Sequence, residues 1–398
     1  MNLAPGGTAL IIVLSEARSD PRVRRKITWL TEAGWSVDTL ALGPTPSDEV
    51  RDHFALGTPP RWTTTRLGSL LLYGLLPSRT AFKRFAVSRF PEEARSRIAA
   101  GHYDLIVFDD TDYIPVVKVR SLFTRATARA HVHLDLHEFR EPRLRLTPWR
   151  LLTRRYYRWH RRIIGAPVFQ TRSTVSGRIA DLYAADFGFQ RPTVIRSIPP
   201  YHDLSPKPVD PSNIRLLFHG LASWARGFDQ IFDAMRELDD RFTMTFMLTG
   251  NPANIRRVEE SARAFGDRVR VVPAVPMTRV STAVNDYDLE IIFLPPVTRN
   301  VEYALPNKLF EAVQGRLGVV IGRSPMMLEL VEQYSLGPII DGWTGRDLAA
   351  GLSSLTAEQV SQFKENADRA AHELSAEREG ERFRALVGIA QSKSSAAP

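Results

Sequence analysis

Apolar residues along this chain fall in short uncharged runs separated by amphipathic stretches, the alternation of strand and helix expected of an α/β protein. Residues 9–14 are uniformly apolar and predict a strand covered on both faces. A helix follows through 23–33, stopping at Gly34, and a second strand occupies 37–42. That helix starts well, because Asp20 can cap it and Pro21 suits its first position. Further strands are predicted at 105–108, 131–136 and 168–170, with helices near 149–164 and 176–187. The segment 197–213, with five prolines within 15 positions, then reads as a linker between two domains.

Beyond residue 213 the alternation restarts. Strands are predicted at 215–218, 242–248, 269–272, 289–294, 319–321 and 338–340. Helices are predicted at 228–238, 256–265, 280–284, 306–314 and 326–334. The end of the chain, 356–390, reads as polar helix with Phe383 and Leu386 free to dock. The simplest arrangement is a pair of doubly wound domains, 1–200 and 214–375, joined through 201–213, with 376–398 packing back towards the first. Ligands in such sheets bind beyond the carboxyl ends of the strands.

Composition narrows the chemistry. The chain has 398 residues and no cysteine, which excludes disulfides, thiolate metal sites and a cysteine nucleophile and fits a reducing cytoplasm. Neither residues 9–14 nor 67–78 are long enough to span a bilayer. Charge is uneven: residues 1–200 carry +13 and the remainder −4. The excess concentrates at Arg79, Lys83, Arg84 and Arg89, and from Arg140 through Arg162, where arginines alternate with Trp149, Tyr156, Tyr157 and Trp159. Such a surface suits an anionic membrane, and equally a solvated helix with its aromatics turned inward. Nucleic acid would meet the same field but is the less favoured partner.

No GxGxxG or GxxxxGK[ST] follows the first strand, and no HExxH occurs, so dinucleotide, P-loop and zinc readings lack support. His131 and His133 share a strand and read as core or surface residues. Two other segments carry chemistry. Lys308 and Glu311 share one face of a helix starting near Pro306, while Leu309, Phe310 and Val313 take the buried face. Helix amides and Lys308 can meet a diphosphate, and Glu311 can accept from two vicinal ribose hydroxyls. Upstream, Gly220 ends a strand and the pair Arg226-Gly227 opens a helix, so Arg226 can clamp a phosphate bidentately. Each segment alone also fits an ordinary capped helix or a solvated loop.

Taken in order, Arg226-Gly227 after Gly220, Pro306-Asn307-Lys308-Leu309-Phe310-Glu311, Gly315 and Gly318-Val319-Val320 resemble the donor half of the retaining family 4 glycosyltransferases of GT-B fold. Ser19-Asp20-Pro21-Arg22-Val23, Asp135-Leu136-His137-Glu138, Thr174-Val175-Ser176 and Arg196-Ser197-Ile198-Pro199 look like the same family's N-terminal signposts. The resemblance implies two Rossmann-type domains facing across a cleft. It implies a donor diphosphate cradled by Arg226 and Lys308, with Gly220 and Asn307 beside it and ribose on Glu311. The base would meet main chain around Val275, in the loop 273–276. His137 would face the transferred sugar, with Asp135 and Glu138 supporting it or meeting the acceptor.

Two departures stand out. Tyr303 occupies the place of the family's earlier glutamate, leaving Glu302, Asn300 or the backbone near Leu305 to touch the sugar, and the loop 15–21 has no glycine. The expectation is a metal-independent, cofactor-free hexosyltransferase-type enzyme that retains anomeric configuration. Its acceptor would be lipid-linked or a cell-envelope polysaccharide, met at the inner face of the membrane. A sugar-nucleotide epimerase of the same fold and a non-catalytic membrane-associated scaffold are the alternatives.

Overall fold

The computed structural model describes residues 3, 6–59, 61–139 and 148–389. They form two units: one of residues 1–195 with 380 onwards, the other of residues 196–379. Each is built on an all-parallel sheet, as continuous apolar strands joined by helices require.

Unit 1 holds β1 (Thr8–Glu16), β2 (Ser36–Leu42), β3 (Val50–Ala55), β4 (Leu105–Asp109), β5 (His131–Leu136), β6 (Thr171–Thr174) and β7 (Thr193–Val194), in spatial order β3-β2-β1-β4-β5-β6-β7. The first crossover is the helix Pro21–Thr31, whose N-terminus is capped by Asp20 through the amide of Arg22 at 3.0 Å. The predicted strand at 168–170 instead forms at Thr171–Thr174. Phe169 does not join the ladder; its ring packs edge-on against Phe108 at 5.9 Å. The polar β6 is drawn into the sheet by His133, whose nitrogens bond Thr171 and Ser173 at 2.9 and 3.0 Å. From the C-terminal helix Ala376–Val387, Phe383 is fully buried against Trp29 and His133.

Unit 2 holds β8 (Ile214–Leu221), β9 (Phe242–Thr249), β10 (Val269–Pro273), β11 (Leu289–Ile292), β12 (Gly318–Gly322) and β13 (Ile339–Ile340), in order β10-β9-β8-β11-β12-β13. Strand alternation feeds two cores: Leu216 and Phe218 pack with Phe228 and Phe246 on one face, while Leu217 packs with Leu309, Phe310 and Val319 on the other. The proline-bearing stretch 201–213 is fastened along this unit. The amide of His202 donates to Gln314 Oε1 at 3.1 Å and its carbonyl accepts from Arg316 at 2.8 Å.

In both sheets the chain winds outward one way and then reverses, creating a switch point between β1 and β4 in unit 1 and between β8 and β11 in unit 2. Loops diverge there, leaving a crevice at the carboxyl ends of the strands. No helix among the described residues is long and apolar enough to cross a membrane.

Candidate active site

The switch point of unit 2 gathers the residues singled out for a diphosphate. β8 delivers His219 and Gly220 at its carboxyl end, and β11 delivers Glu290 from the neighbouring strand. Gly220 has φ +119°, a conformation that residues with a Cβ avoid, and a Cβ there would stand 3.9 Å from Lys308 Cε. Gly227, at φ +82°, is held so close to β11 that a Cβ would meet the Phe293 carbonyl oxygen at 2.4 Å. Arg226, the residue before it, lies close enough to Lys308 to act on its charge. It is half-buried, burial lowers its pKa, and among the described residues no carboxylate pairs with it.

Lys308 lies in the first turn of the helix Asn307–Gln314, whose N-cap residue Pro306 offers no capping side chain. Its ammonium is buried, sits 3.3 Å from the centroid of the Phe218 ring and has no hydrogen-bond acceptor. Glu290 Oε1 is the nearest counter-charge, at 3.8 Å. Burial, with Arg226 adding like charge, pushes the Lys308 pKa down to about 8 against the partial relief from Glu290 and Glu311. This is an orphaned buried cation at a helix N-terminus, beside a glycine that leaves its flank open.

Glu311, one turn along, is tied to His219, whose Nε2 bonds Glu311 Oε2 at 2.8 Å and whose Nδ1 bonds Glu290 Oε2 at 3.0 Å. Burial alone would lower the His219 pKa, but the two carboxylates outweigh it and raise it to about 9, so both ring nitrogens donate at neutral pH. Asn307 opens the helix half-buried, and Val275 lies half-buried in the loop after β10, packed against the second core. Glu302 ends the short helix Arg299–Glu302, which also carries Asn300, and its carbonyl accepts from Ser324 at 2.9 Å.

In unit 1 the switch point holds a buried charge cluster. Lys26, on the inner face of the helix after β1, bonds Asp135 Oδ2 at 2.5 Å and Asp109 Oδ2 at 3.2 Å. His137 Nε2 bonds Asp109 and, at 3.2 Å, Asp135 Oδ2. Desolvation opposes every charge here. Two carboxylates against one ammonium leave an excess negative charge, and they raise the His137 pKa to about 9, supplying the second cation. Lys26 and His137 in turn hold Asp109 and Asp135 below the ordinary carboxylate range despite burial. Asp135 is committed at both oxygens, Oδ1 accepting from Ser173 at 2.6 Å, so it supports His137 rather than reaching outward. Glu138 is the exposed member, its carbonyl accepting from Tyr183 at 2.6 Å. Asp109, Asp135 and His137 also have the spacing of a metal triad, but an ion there would have to displace the Lys26 ammonium.

Sequence reading did not single out Lys26, Asp109, His219 or Glu290. The signal was a charge inside an apolar stripe: Lys26 among Val23, Ile27 and Leu30, and Glu290 within Leu289-Glu290-Ile291-Ile292.

No family model and no curated protein matches the chain. Solved structures do. Sucrose-phosphate synthase from Thermosynechococcus elongatus aligns with TM-score 0.65 at 14% identity, over 96% of this chain and 99% of that one. HepE from Anabaena, in complex with UDP, gives 0.65 at 12%, over 95% and 98%. WaaG, a glycosyltransferase involved in lipopolysaccharide biosynthesis, gives 0.64 at 11%, over 96% and 100%. The fold is GT-B. Its two Rossmann-like halves correspond to units 1 and 2, and the expected α/β class and glycosyltransferase resemblance hold at the level of architecture. At such identities GT-B describes the scaffold, and the chemistry rests on the residues.

Proposed function

We propose that this chain is a retaining glycosyltransferase of hexosyltransferase type, resembling family 4, that takes its sugar from a nucleotide-diphosphate donor held by unit 2. The observation that carries this reading is the Lys308 ammonium, buried without an acceptor beside Gly220 and within the field of Arg226. Leaving a buried ammonium without a hydrogen-bond acceptor is costly, with Glu290 no nearer than 3.8 Å, and a diphosphate supplies the missing acceptor.

As the anomeric C–O bond breaks, negative charge accumulates on the departing diphosphate. Arg226, Lys308 and the amides opening the helix Asn307–Gln314 stabilise it where it grows. Asn307 contributes at that helix start. Glu311, oriented by His219, accepts from the ribose hydroxyls, and main chain at Val275 meets the base. These groups supply the charge compensation that a metal would otherwise bring, so the proposed reaction needs no metal and no cofactor. Glu302 or Asn300 serves in place of the glutamate absent at Tyr303.

Unit 1 provides His137, a charged group held by Asp109 and Asp135 that faces the transferred sugar in this reading, and Glu138 as the exposed carboxylate on the acceptor side. The acceptor in this reading is lipid-linked or a cell-envelope polysaccharide, met at the cytoplasmic face of a membrane to which the arginine-rich surface of unit 1 is drawn. The HepE complex with UDP and the role of WaaG in lipopolysaccharide biosynthesis support the donor and acceptor classes by analogy of fold.

A thermal-shift panel of sugar nucleotides, followed by calorimetry with UDP and GDP, tests the donor site. Binding of a nucleoside diphosphate that Arg226→Ala and Lys308→Ala each weaken by about tenfold or more, together with loss of turnover in folded protein, is the expected result. Near-normal turnover in both variants refutes the assignment. Incubation with donor alone separates transfer from epimerisation, since only an epimerase forms product without acceptor.

A further inference from the structure

Six of the large apolar side chains left exposed among the described residues lie on one pair of segments in unit 1. Trp62, Leu67, Leu71 and Leu75 come from residues 61–75, and Leu151 and Leu152 open the helix Pro148–Ile164; each is 44–68% exposed. Leu67, Leu71 and Leu75 recur every four positions, which keeps them on one side of the helical stretch. The two segments are locked together from behind. Tyr73 packs on Tyr156 with ring centroids 4.4 Å apart, Leu72 is buried, and Arg155 Nη2 donates to the Leu76 carbonyl at 2.5 Å. A Cβ on Gly74 would lie 3.5 Å from the Leu152 carbonyl oxygen.

This differs from what the sequence invites. The aromatics that alternate with arginines turn inward: Tyr156 is buried, and Trp159 packs towards Phe82 at 6.4 Å. The outward apolar groups are leucines. Residues 140–147 and the side chain of Trp149 lie outside what the structure describes.

The charge carried by these segments has one sign. Arg79, Lys83 and Arg84 are exposed on the helix Ser78–Phe85, and Arg154, Arg155 and Arg158 are exposed on the helix Pro148–Ile164. No Asp or Glu occurs between Asp52 and Glu92, or between Glu141 and Asp181. Interlocked segments that expose leucines and cations and hold no carboxylate of their own are complementary to an anionic lipid surface, apolar below and negative above.

We propose that this patch is a membrane-insertion surface: the leucines enter the acyl boundary of an anionic bilayer while the surrounding arginines and Lys83 stay among the headgroups. The inference deepens the peripheral part of the proposed function and rests on it, but not on the donor chemistry. Attraction by arginines alone is fully reversed by salt. Inserted leucines leave a component that salt does not remove, because burial of apolar area is insensitive to screening.

The test is co-sedimentation of the full chain with vesicles of phosphatidylcholine alone and of phosphatidylcholine with phosphatidylserine, at low and high salt. The variants are Leu71→Asn/Leu75→Asn/Leu151→Asn/Leu152→Asn and Arg79→Gln/Lys83→Gln/Arg84→Gln, with UDP calorimetry as the control for folding of unit 2 and circular dichroism for unit 1. The expected result is binding that prefers anionic vesicles and keeps a salt-resistant fraction. The leucine variant should lose that fraction, with binding down by about tenfold or more; the charge variant should lose the anionic preference. Wild-type binding that salt removes completely, with the folded leucine variant equal to wild type, overturns insertion while leaving electrostatic attachment standing. Failure of wild type to bind either vesicle overturns both. A dimer in light scattering that the leucine variant dissolves, without vesicle binding, assigns the surface to self-association and also overturns the proposal.

Discussion

Replacing Lys308 by Met separates a residue kept for binding from one kept for stability. Burial holds the Lys308 pKa at about 8 against an ordinary 10.5. At about 1.4 kcal/mol per pH decade, the charged form carries a penalty of about 3 kcal/mol in the folded state. Because the folded pKa is the lower one, the penalty is in full force below about pH 8. It fades as pH rises and is gone above 10.5, where the amine is neutral folded or unfolded. Met fills nearly the same volume without the charge, at the loss of the contact with the Phe218 ring, worth up to about 2 kcal/mol when desolvated.

The expected net effect of Lys308→Met at pH 7 is therefore a gain of about 1–3 kcal/mol, shrinking steadily towards pH 10. Urea denaturation monitored across that pH range measures it. The same variant should bind UDP about 10- to 150-fold more weakly, the worth of a hydrogen bond to a charged group. In wild type, UDP binding near pH 8 should take up a proton, visible as a dependence of calorimetric enthalpy on buffer ionisation. Destabilisation of the variant at pH 7, or UDP affinity within about threefold of wild type, would refute the reasoning.

Other consequences follow from neighbouring residues. Arg226→Ala should weaken UDP binding by about 10- to 100-fold while moving stability by no more than about 0.5 kcal/mol, since no carboxylate among the described residues depends on it; calorimetry and urea melts report the two separately. His219, raised from 6.5 to about 9, contributes stability that is complete below pH 6.5 and lost as pH climbs through 9. His219→Gln should flatten that decline, by up to about 3 kcal/mol, in denaturation profiles. Lys26→Met should destabilise unit 1 by about 3–5 kcal/mol because Asp109 and Asp135 are left in the interior with His137 as their one remaining cation. Adding Asp135→Asn should recover part of the loss, and a double-mutant cycle that shows no coupling would contradict the cluster.

What could be read from the sequence was whatever is encoded locally. Buried strands of parallel sheets are unbroken apolar runs, so β1, β4 and β12 stand out; β3, Val50-Arg51-Asp52-His53-Phe54-Ala55, does not, because an edge strand carries polar residues. Gly220, Arg226 and Lys308 were visible because each sits where a strand or loop meets a helix, with its role written in adjacent residues. Their electrostatic partners were not. His219 meets Glu290 across 71 positions, and Lys26 reaches Asp109 and Asp135 across 83 and 109. Only the folded sheet brings those charges together. The same limit explains the arginine-rich helix: its spacing showed cations and aromatics alternating, but which of them faces inward depends on Tyr73, far upstream.

The burial of Phe383 against Trp29 and His133 has a consequence for synthesis. The core of unit 1 is sealed by a side chain that leaves the ribosome some 350 residues after Trp29, once all of unit 2 has emerged. A nascent chain must carry an open wall behind the first sheet throughout that interval, and a ring of this size missing from a core costs about 3–5 kcal/mol. The nascent first half is thus the stage at which this protein most needs chaperone cover.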